Sequence, residues 1–491
     1  MARGKKKEKE FTPEEKLQRA LVPVDEWPYE IPENWCWVRI GEITDVVGGG
    51  TPSSRNPEFY DGGTIPWISP ADLSGYRDIY ISHGAKSITE KGLEKSSAKL
   101  LPPDTVCLSS RAPIGYVVIA QNSLATNQGF KSFLPSPTYN PQYLYWYLKS
   151  NKELLESKAS GTTFLELSGS KAAKVEFPLP PLPEQHRIVV RIESLFVKLD
   201  EAKEKAQAVV DGFEDRKAAI LHKAFTGELT SIKNADSINY VLSEIHKWSV
   251  TFPAKDIKAI EKEQEKASII CLPDGRNWIK CTVGAIGRVT NGSTPSRKCS
   301  DYWNGNIPWV SSGEVRNNTI YITNECITQK GFDNSSVKLL PKGTILIAMI
   351  GEGKTRGQSA ILEIEATINQ NIAAIVIDHG LVEPEFLWFW FQMNYKKNRE
   401  KGSGSGPQAL NCQRVRELDC ICPSIKEQRE IVTLLRALIL KEEQVNENAE
   451  HVIELIDNIK KSILARAFHG ELGTNDPTDE SAEKLLKRIL I

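Results

Sequence analysis

What this chain lacks narrows its class. None of its 491 residues fall in an apolar run near the ~20 that a membrane-spanning helix needs. The opening Met-Ala-Arg-Gly-Lys-Lys-Lys-Glu-Lys-Glu is basic with no apolar stretch behind it, so no secretory leader is expected and the cytoplasm is the expected location. The nine cysteines are odd in number, scattered from Cys36 to Cys422, and include no Cys-x-x-Cys pair for zinc or thiol exchange. The tightest pair, Cys420 and Cys422 in Asp-Cys-Ile-Cys-Pro, alternates as a strand does, which suits a sheet better than a metal site. Seven histidines are dispersed, with no pair at metal-ligand spacing, so no metal is expected. Charge of one sign is also missing. The 62 basic and 63 acidic residues leave a net charge of −1, which excludes a protein held to nucleic acid by bulk positive charge but leaves local basic surfaces open.

What is present is an ordinary globular mix, 40% apolar and 25% charged, long enough for about three or four folding units. Those units are not independent, because one long pattern occurs twice. Thr51-Pro52-Ser53 recurs as Thr294-Pro295-Ser296, and Ile65-Pro66-Trp67 as Ile307-Pro308-Trp309. Asn127-Gln128 recurs as Asn369-Gln370, and the aromatic run 143–147 as 386–390. Glu184-Gln185 recurs as Glu427-Gln428, and Gly227-Glu228-Leu229 as Gly470-Glu471-Leu472. The segment 481–489 resembles 237–245 in the same way. Between these blocks the offset stays within a few residues of 243, the distance from Thr51 to Thr294.

Each copy opens with a strand-rich part, where short apolar runs such as Thr105-Val-Cys-Leu and Thr344-Ile-Leu-Ile-Ala are punctuated by Gly and Pro. A long helix follows, entered through Pro178 to Pro183 in the first copy and through Pro423-Ser424-Ile425-Lys426 in the second, a junction expected to be less rigid. In the first helix Ile188, Ile192, Leu195, Leu199, Ala202, Ala206, Val209 and Phe213 alternate spacings of four and three. In the second, Ile431, Leu435, Leu438, Glu442, Val445, Ala449, Val452 and Ile456 do the same, with Glu442 as a charged exception. Sustained heptads predict a coiled-coil seam, and two equal stripes in one chain predict mutual pairing. Gly227 and Gly470 mark the expected helix ends. Ile188 to Ala224, as one straight helix, spans about 55 Å at 1.5 Å per residue.

The doubled blocks Gly-x-Thr-Pro-Ser…Ile-Pro-Trp, Leu-Pro-Glu-Gln-His-Arg-Ile-Val and Ala-Phe-x-Gly-Glu-Leu closely resemble the DNA specificity subunits of type I restriction–modification systems. The resemblance covers roughly residues 30 to 475. It implies an α+β chain with a pseudo-two-fold internal repeat, in which two mixed α/β target recognition domains alternate with two long helices paired as an antiparallel coiled coil. On this chain the resemblance places an N-terminal tail at 1–35, recognition domains at 36–182 and 277–425, spacer helices at 183–229 and 426–472, a linker at 230–276 and a tail at 473–491. It implies double-stranded DNA as ligand, read at two half-sites, and two methyltransferase (modification) subunits and restriction (translocase–nuclease) subunits as partners. It implies no catalytic centre and no cofactor in this chain; S-adenosylmethionine, ATP and magnesium belong to the partners. Two half-sites so spaced straddle one to two turns of duplex, at ~34–36 Å per turn.

Two heads that read different half-sites should share scaffold and differ where bases are read, which marks Trp67 and Trp309 as core. The candidate DNA-binding residues are Thr51, Ser53, Ser54 and Arg55 in the first Thr-Pro-Ser turn and Thr294, Ser296, Arg297 and Lys298 in the second. Ser109, Ser110 and Arg111 oppose Lys354, Thr355 and Arg356, in a loop three residues longer in the second copy. Thr162 and Thr163 oppose Ser403, Ser405 and Gln408 in a polar segment before each helix. The spans 36–182 and 277–425 carry 14 basic against 13 acidic and 16 against 13 residues, mild excesses that leave much of the phosphate neutralisation to partners.

Enzyme readings fare less well. The segment 348–355 satisfies a relaxed P-loop pattern and Asp378 mimics its acidic strand, but Arg356-Gly357-Gln358 reads as a turn into a strand, not the helix a phosphate cradle needs. No Asn/Asp-Pro-Pro-aromatic tetrapeptide, the loop that holds a flipped adenine in a methyltransferase, occurs. The competing classes are a coiled-coil assembly scaffold and a modification-only orphan specificity subunit.

Overall fold

The computed structural model describes residues 12–161, 165–231, 240, 243–244, 247–248, 254–351, 353–401 and 409–490. It divides into two units, Met1–Gln207 with Glu450–Ile491, and Ala208–Ala449. In the first unit a five-stranded sheet runs in the order Val46–Gly48, Phe130–Phe133, Val106–Ser110, Ile114–Ala120, Tyr80–Ile81. A second sheet of four short strands is built around Ile65–Ile68. The second unit repeats the five-stranded order as Arg288–Asn291, Ile372–Val376, Ile345–Ala348, Ser359–Leu362, Asn318–Ile320. In both, the last strand joins in parallel and the central three are antiparallel. Strand 106–110 is buried at every position, as is 345–348, because the sheet is covered on both faces. The aromatic helix Pro141–Ser150 packs on the first sheet's core and Pro384–Met393 on the second's.

A further strand pair closes each unit and leads into its long helix: Cys36–Arg39 with Glu176–Leu179, and Asn277–Thr282 with Asp419–Cys422. Cys420 and Cys422 thus lie on a strand, as their alternation predicts. The helices are Leu182–Asp211, Phe213–Phe225 and Ile425–Phe468. The first stripe was expected to be one helix, but Gly212 interrupts it. The ladder survives the break, since Gly212 N–H donates to the Ala208 carbonyl at 3.1 Å and the Gly212 carbonyl accepts from Arg216 N–H at 3.1 Å. A side chain on Gly212 would meet the Arg216 guanidinium, so the glycine leaves room for Arg216 Nε to pair with Glu442 at 2.7 Å. The charge at a seam position thereby has its counter-ion. The ends form as predicted: Gly227 and Gly470 have φ of +84° and +77°. Glu228 N–H bonds the Lys223 carbonyl and Glu471 N–H that of Arg466, the bond pattern of a glycine-terminated helix.

Within the first unit Ile188, Ile192, Leu464, Ala467 and Phe468 share one core, and Lys203–Asp457 and Lys460–Asp200 form ion pairs. Within the second, Leu221, Phe225, Ile431, Leu435 and Ile439 share another. Leu195, Leu199, Val209, Phe213 and Leu438 are half-buried and Ile456 is buried. Val445 and Val452 are not seam residues as expected; they are exposed at 47% and 41%. The inward column is one residue later, through Asn446 and Ile453, because a three-four alternation admits two phases and packing selects one. The segments expected as tails are also part of the fold. Pro13–Ala20 is a helix with a Thr12–Glu15 capping box, and Ala482–Leu490 is a helix whose Ala482 and Leu486 join the first core. The expected linker contributes Ala254–Gln264 and the strand Ser268–Cys271, paired with Asn277–Lys280; the repeat copy at 237–245 lies mostly outside the described residues.

The root of each long helix is pinned by its Glu-Gln pair. Gln185 accepts from Asn140 N–H at 2.7 Å and donates to the Thr138 and Pro180 carbonyls. Gln428 accepts from Glu383 N–H at 2.8 Å and donates to Leu381 and Pro423. Buried Glu184 accepts from the Trp35 indole at 2.8 Å and from Asn475, and burial raises its carboxyl above the usual range. Glu427 accepts from Trp278, from the Thr230 hydroxyl at 2.8 Å and from Arg276. Ser424 Oγ accepts from Glu427 N–H at 3.3 Å, so the second junction has a helix cap where the first has proline. Glu427→Ala removes the buried partner of Arg276, leaving that guanidinium the half-exposed Asp274 at 2.6 Å, and leaves the Trp278 indole without its acceptor; it is expected to lower stability by about 3 kcal/mol, read as a fall in the urea midpoint. Glu427→Gln, which keeps the acceptor for Trp278 and Thr230, should lose less.

Candidate nucleic-acid interface

Each Thr-Pro-Ser turn is held by the same devices. A Cβ on Gly49 would stand 1.9 Å from the Asn127 carbonyl oxygen, and one on Gly292 1.9 Å from that of Ile368, so only glycine lets the chain pass. Trp67 donates to the Gly50 carbonyl and Trp309 to that of Ser293, both at 3.0 Å. Both indoles are buried, at 7% and 2% exposure, which makes them scaffold as predicted. The Thr51 hydroxyl then donates to the Gln128 amide oxygen, and Thr294 to Gln370. Ser53, Ser54, Arg55, Ser296 and Lys298 follow on exposed backbone.

A second loop meets this turn in each unit. In the first, Ser110 N–H and Oγ both bond the Gly129 carbonyl, at 2.7 and 3.0 Å, which joins loop 110–116 to loop 127–129. Ser109 Oγ donates to the Pro113 carbonyl and accepts from Tyr116 N–H, both at 2.8 Å. Ser109 and Ser110 are fully buried. They are therefore corrections to the expected set, since their hydroxyls are consumed in shaping the loop. Arg111 stays at the surface beside Glu166, which Lys131 also approaches at 3.6 Å. Ser160 and Glu166 exchange backbone hydrogen bonds and close the segment that holds Thr162 and Thr163, which themselves lie outside the described residues.

The second unit builds this region differently. Loop 349–357 turns at Gly351 and Gly357, with φ of +125° and +84°, then enters strand Ser359–Leu362. No helix follows Lys354-Thr355, so a phosphate cradle is absent there, and Asp378 accepts from the Trp248 indole at 2.7 Å. Lys354 is exposed on the loop, whose carbonyl at that residue accepts from Tyr395 OH, and Thr355 is half-buried. Arg356 is a second correction: at 7% exposure it faces the interior, and Arg399 donates to its carbonyl at 3.1 Å. Arg297 lies 3.7 Å from the Trp303 ring centroid and is bidentate to Glu325. Hydrogen bonding from that guanidinium holds the Glu325 carboxyl below its usual range. Ser403, Ser405 and Gln408 lie outside the described residues.

Sequence reasoning missed Gln128, Gln370 and Lys131. The doubled Asn-Gln was visible as a repeat, but only the fold brings it onto the Thr-Pro-Ser turn. Asn127 and Asn369 shape these loops, accepting from Gly129 N–H at 2.8 Å and Asn371 N–H at 3.0 Å, and leave the glutamines exposed. Each unit thus presents amide, hydroxyl and cationic groups on fixed turns, the groups that bond phosphates and base edges.

Comparison with known proteins agrees. A family model described as the type I restriction modification DNA specificity domain matches residues 32–209 and 275–455. The type I restriction enzyme MjaIX specificity subunit of Methanocaldococcus jannaschii is 28% identical over 448 residues, 90% of this chain and 94% of the relative. The EcoBI specificity subunit of Escherichia coli is 24% identical over 455 residues, 90% of this chain and 87% of the relative. Among solved structures, the HsdS subunit from Thermoanaerobacter tengcongensis aligns with a TM-score of 0.58 at 16% identity, covering 91% of this chain and 100% of that one. A chain from a study of complex assembly and conformational transition in the type I R-M system aligns at 0.63 and 17% identity, covering 91% and 100%. The family model takes in both Thr-Pro-Ser turns and both helix roots, and the chain belongs to the type I restriction–modification DNA specificity family, as a sequence-specific DNA recognition subunit.

Proposed function

We propose that this chain reads a bipartite, asymmetric DNA target, one half with the domain at 36–182 and the other with the domain at 277–425, and directs adenine methylation or cleavage by partner subunits. The observation that carries the reading is one frame with two different reading loops. The tryptophan-anchored Thr-Pro-Ser turn and its glutamine recur in both units, while the neighbouring loop is pinned on Glu166 in one and on Tyr395 and Arg399 in the other. Thr51, Ser54, Arg55, Arg111 and Gln128 form the first reading surface, and Thr294, Lys298, Lys354, Thr355 and Gln370 the second. Arg297, already bound to Glu325 and Trp303, orders its turn.

The helices act as a spacer, paired antiparallel as a coiled coil. In support, partner numbers fall on one helix as they rise on the other: Asp200 with Lys460 and Lys203 with Asp457 in the first unit. The chain supplies no catalytic group or cofactor. S-adenosylmethionine, ATP and magnesium act in two methyltransferase subunits and in restriction subunits that join the complex. A pure scaffold would have no use for divergent polar loops on a conserved frame.

Methylation-site sequencing of cells that carry this chain with its modification partner tests the reading: a two-part, asymmetric adenine motif is expected, and no sequence-specific mark would overturn it. Inserting four residues, about one helical turn, into Leu182–Asp211 should change the accepted spacing between half-sites and leave the half-sites themselves unchanged. An unaltered spacing would sink the ruler. Gln128→Ala should relax readout of one half-site by about 1–3 kcal/mol and spare the other, with Gln370→Ala doing the converse, measured by binding to single-base variants of each half. Lys354→Ala should weaken the second half-site alone; measurable ATP binding by the isolated chain, lost in that variant, would contradict it.

A further inference from the structure

Three cysteines meet in the core of the second unit. Cys281 is the register partner of Cys420 across the strand pair Asn277–Thr282 and Asp419–Cys422, and Cys422 is two residues on, so the pleat points all three thiols to one face. The Sγ atoms of Cys281 and Cys420 are 3.5 Å apart, and all three lie within 4.8 Å of one another. None forms a disulfide, and all are buried, at 3%, 0% and 1% exposure.

The first unit shows that this position does not need sulfur. Its equivalent strand pair sets Val38 opposite Phe177, with Leu179 two residues on, all fully buried. The same place in the same fold is thus filled once by three hydrocarbon side chains and once by three thiols. Chance use of cysteine as a small apolar residue accounts for one such exchange more readily than for three that converge.

We propose that Cys281, Cys420 and Cys422 form a three-thiolate site for a soft, thiophilic cation, a structural staple independent of DNA reading. Three sulfurs at about 2.3 Å from a common ion stand about 4 Å apart, a spacing compatible with the 3.5 Å between Cys281 and Cys420 and the 4.8 Å bound on the whole cluster. An all-sulfur ligand set selects Cu(I) or Zn²⁺ over the oxygen-seeking Mg²⁺ and Ca²⁺. Among the described residues no histidine or carboxylate joins the three, which favours a three-coordinate ion and Cu(I) first. Binding releases the thiol protons, and the cation ties strand Asn277–Thr282 to strand Asp419–Cys422, immediately before helix Ile425–Phe468.

The test uses the full chain, purified anaerobically under reductant. It is titrated with Cu(I) against a chromophoric Cu(I) chelator and, in a parallel arm, with Zn²⁺ against a zinc indicator; metal content follows after desalting. One retained equivalent of either ion, with a rise in the unfolding temperature, is expected and identifies the ion. Cys281→Val/Cys420→Phe/Cys422→Leu, which installs the first unit's side chains, should retain at least tenfold less. The single Cys422→Ser guards against misfolding of that variant and should lose the temperature rise while keeping the wild-type far-ultraviolet circular dichroism. Cys271→Ser/Cys299→Ser, at exposed thiols, should retain the full equivalent. Retention below a tenth of an equivalent of both ions by the wild type, or undiminished retention by Cys422→Ser, overturns the site.

Discussion

A buried carboxylate and a buried carboxamide, side by side at the first turn of each long helix, are what the two units depend on. Glu184-Gln185 and Glu427-Gln428 lie where a strand-rich domain must become a helix. There several backbone groups lose their sheet partners before the helical ladder can take them up. The glutamine satisfies one N–H and two carbonyls at that point, and the glutamate holds an indole, that of Trp35 just before strand Cys36–Arg39 or of Trp278 in strand Asn277–Thr282. An interior charge is expensive unless partnered. In the second unit Arg276 and Thr230 partner it; in the first, Asn475 does, and burial raises the proton affinity of Glu184. Buried hydrogen bonds thereby tie each domain to the root of its helix.

The fixed root matters to the proposed reading, in which the groups that meet DNA are short side chains on turns. A threonine hydroxyl or glutamine amide selects a base only if its backbone is set within a few tenths of an ångström. The tryptophan bond to the turn carbonyl and the close passage at Gly49 and Gly292 supply that setting in both units. The neighbouring loop is free to change length and anchor without disturbing the frame. Near-neutral overall charge fits the same proposed division, in which discrimination rests on a few exposed polar groups and not on a basic surface.

Much of this was legible in the residues. The duplication, the strand-rich domains, the core tryptophans, the helix-ending glycines and the strand over Cys420 and Cys422 all follow from spacing, period and turn chemistry, which are local. The failures are equally specific. Ser109 and Ser110 read as loop hydroxyls, yet the strand that bears them is covered on both faces and the loop folds back onto their oxygens. Arg356 is basic, but Gly357 turns the chain so that it points inward. Val445 and Val452 fit a heptad as well as Asn446 and Ile453 do. Segments 13–20 and 482–490 read as tails because each is a single short helix with nothing beside it in sequence to pack on; both are placed by a core made elsewhere.

Periodicity, turn residues and repetition are properties of neighbours along the chain, so the sequence by itself determined which segments become strand or helix, that the plan is used twice, and what kind of surface each unit exposes. Tertiary structure decided which of two helical phases faces inward, which polar side chains are consumed in building loops, and that Gln128 stands on the Thr51 turn. It also brought Cys281 to Cys420 and Cys422 across 139 residues of chain. Each of these depends on a contact between distant segments, and such contacts are fixed by burial and sheet register, which no local pattern encodes.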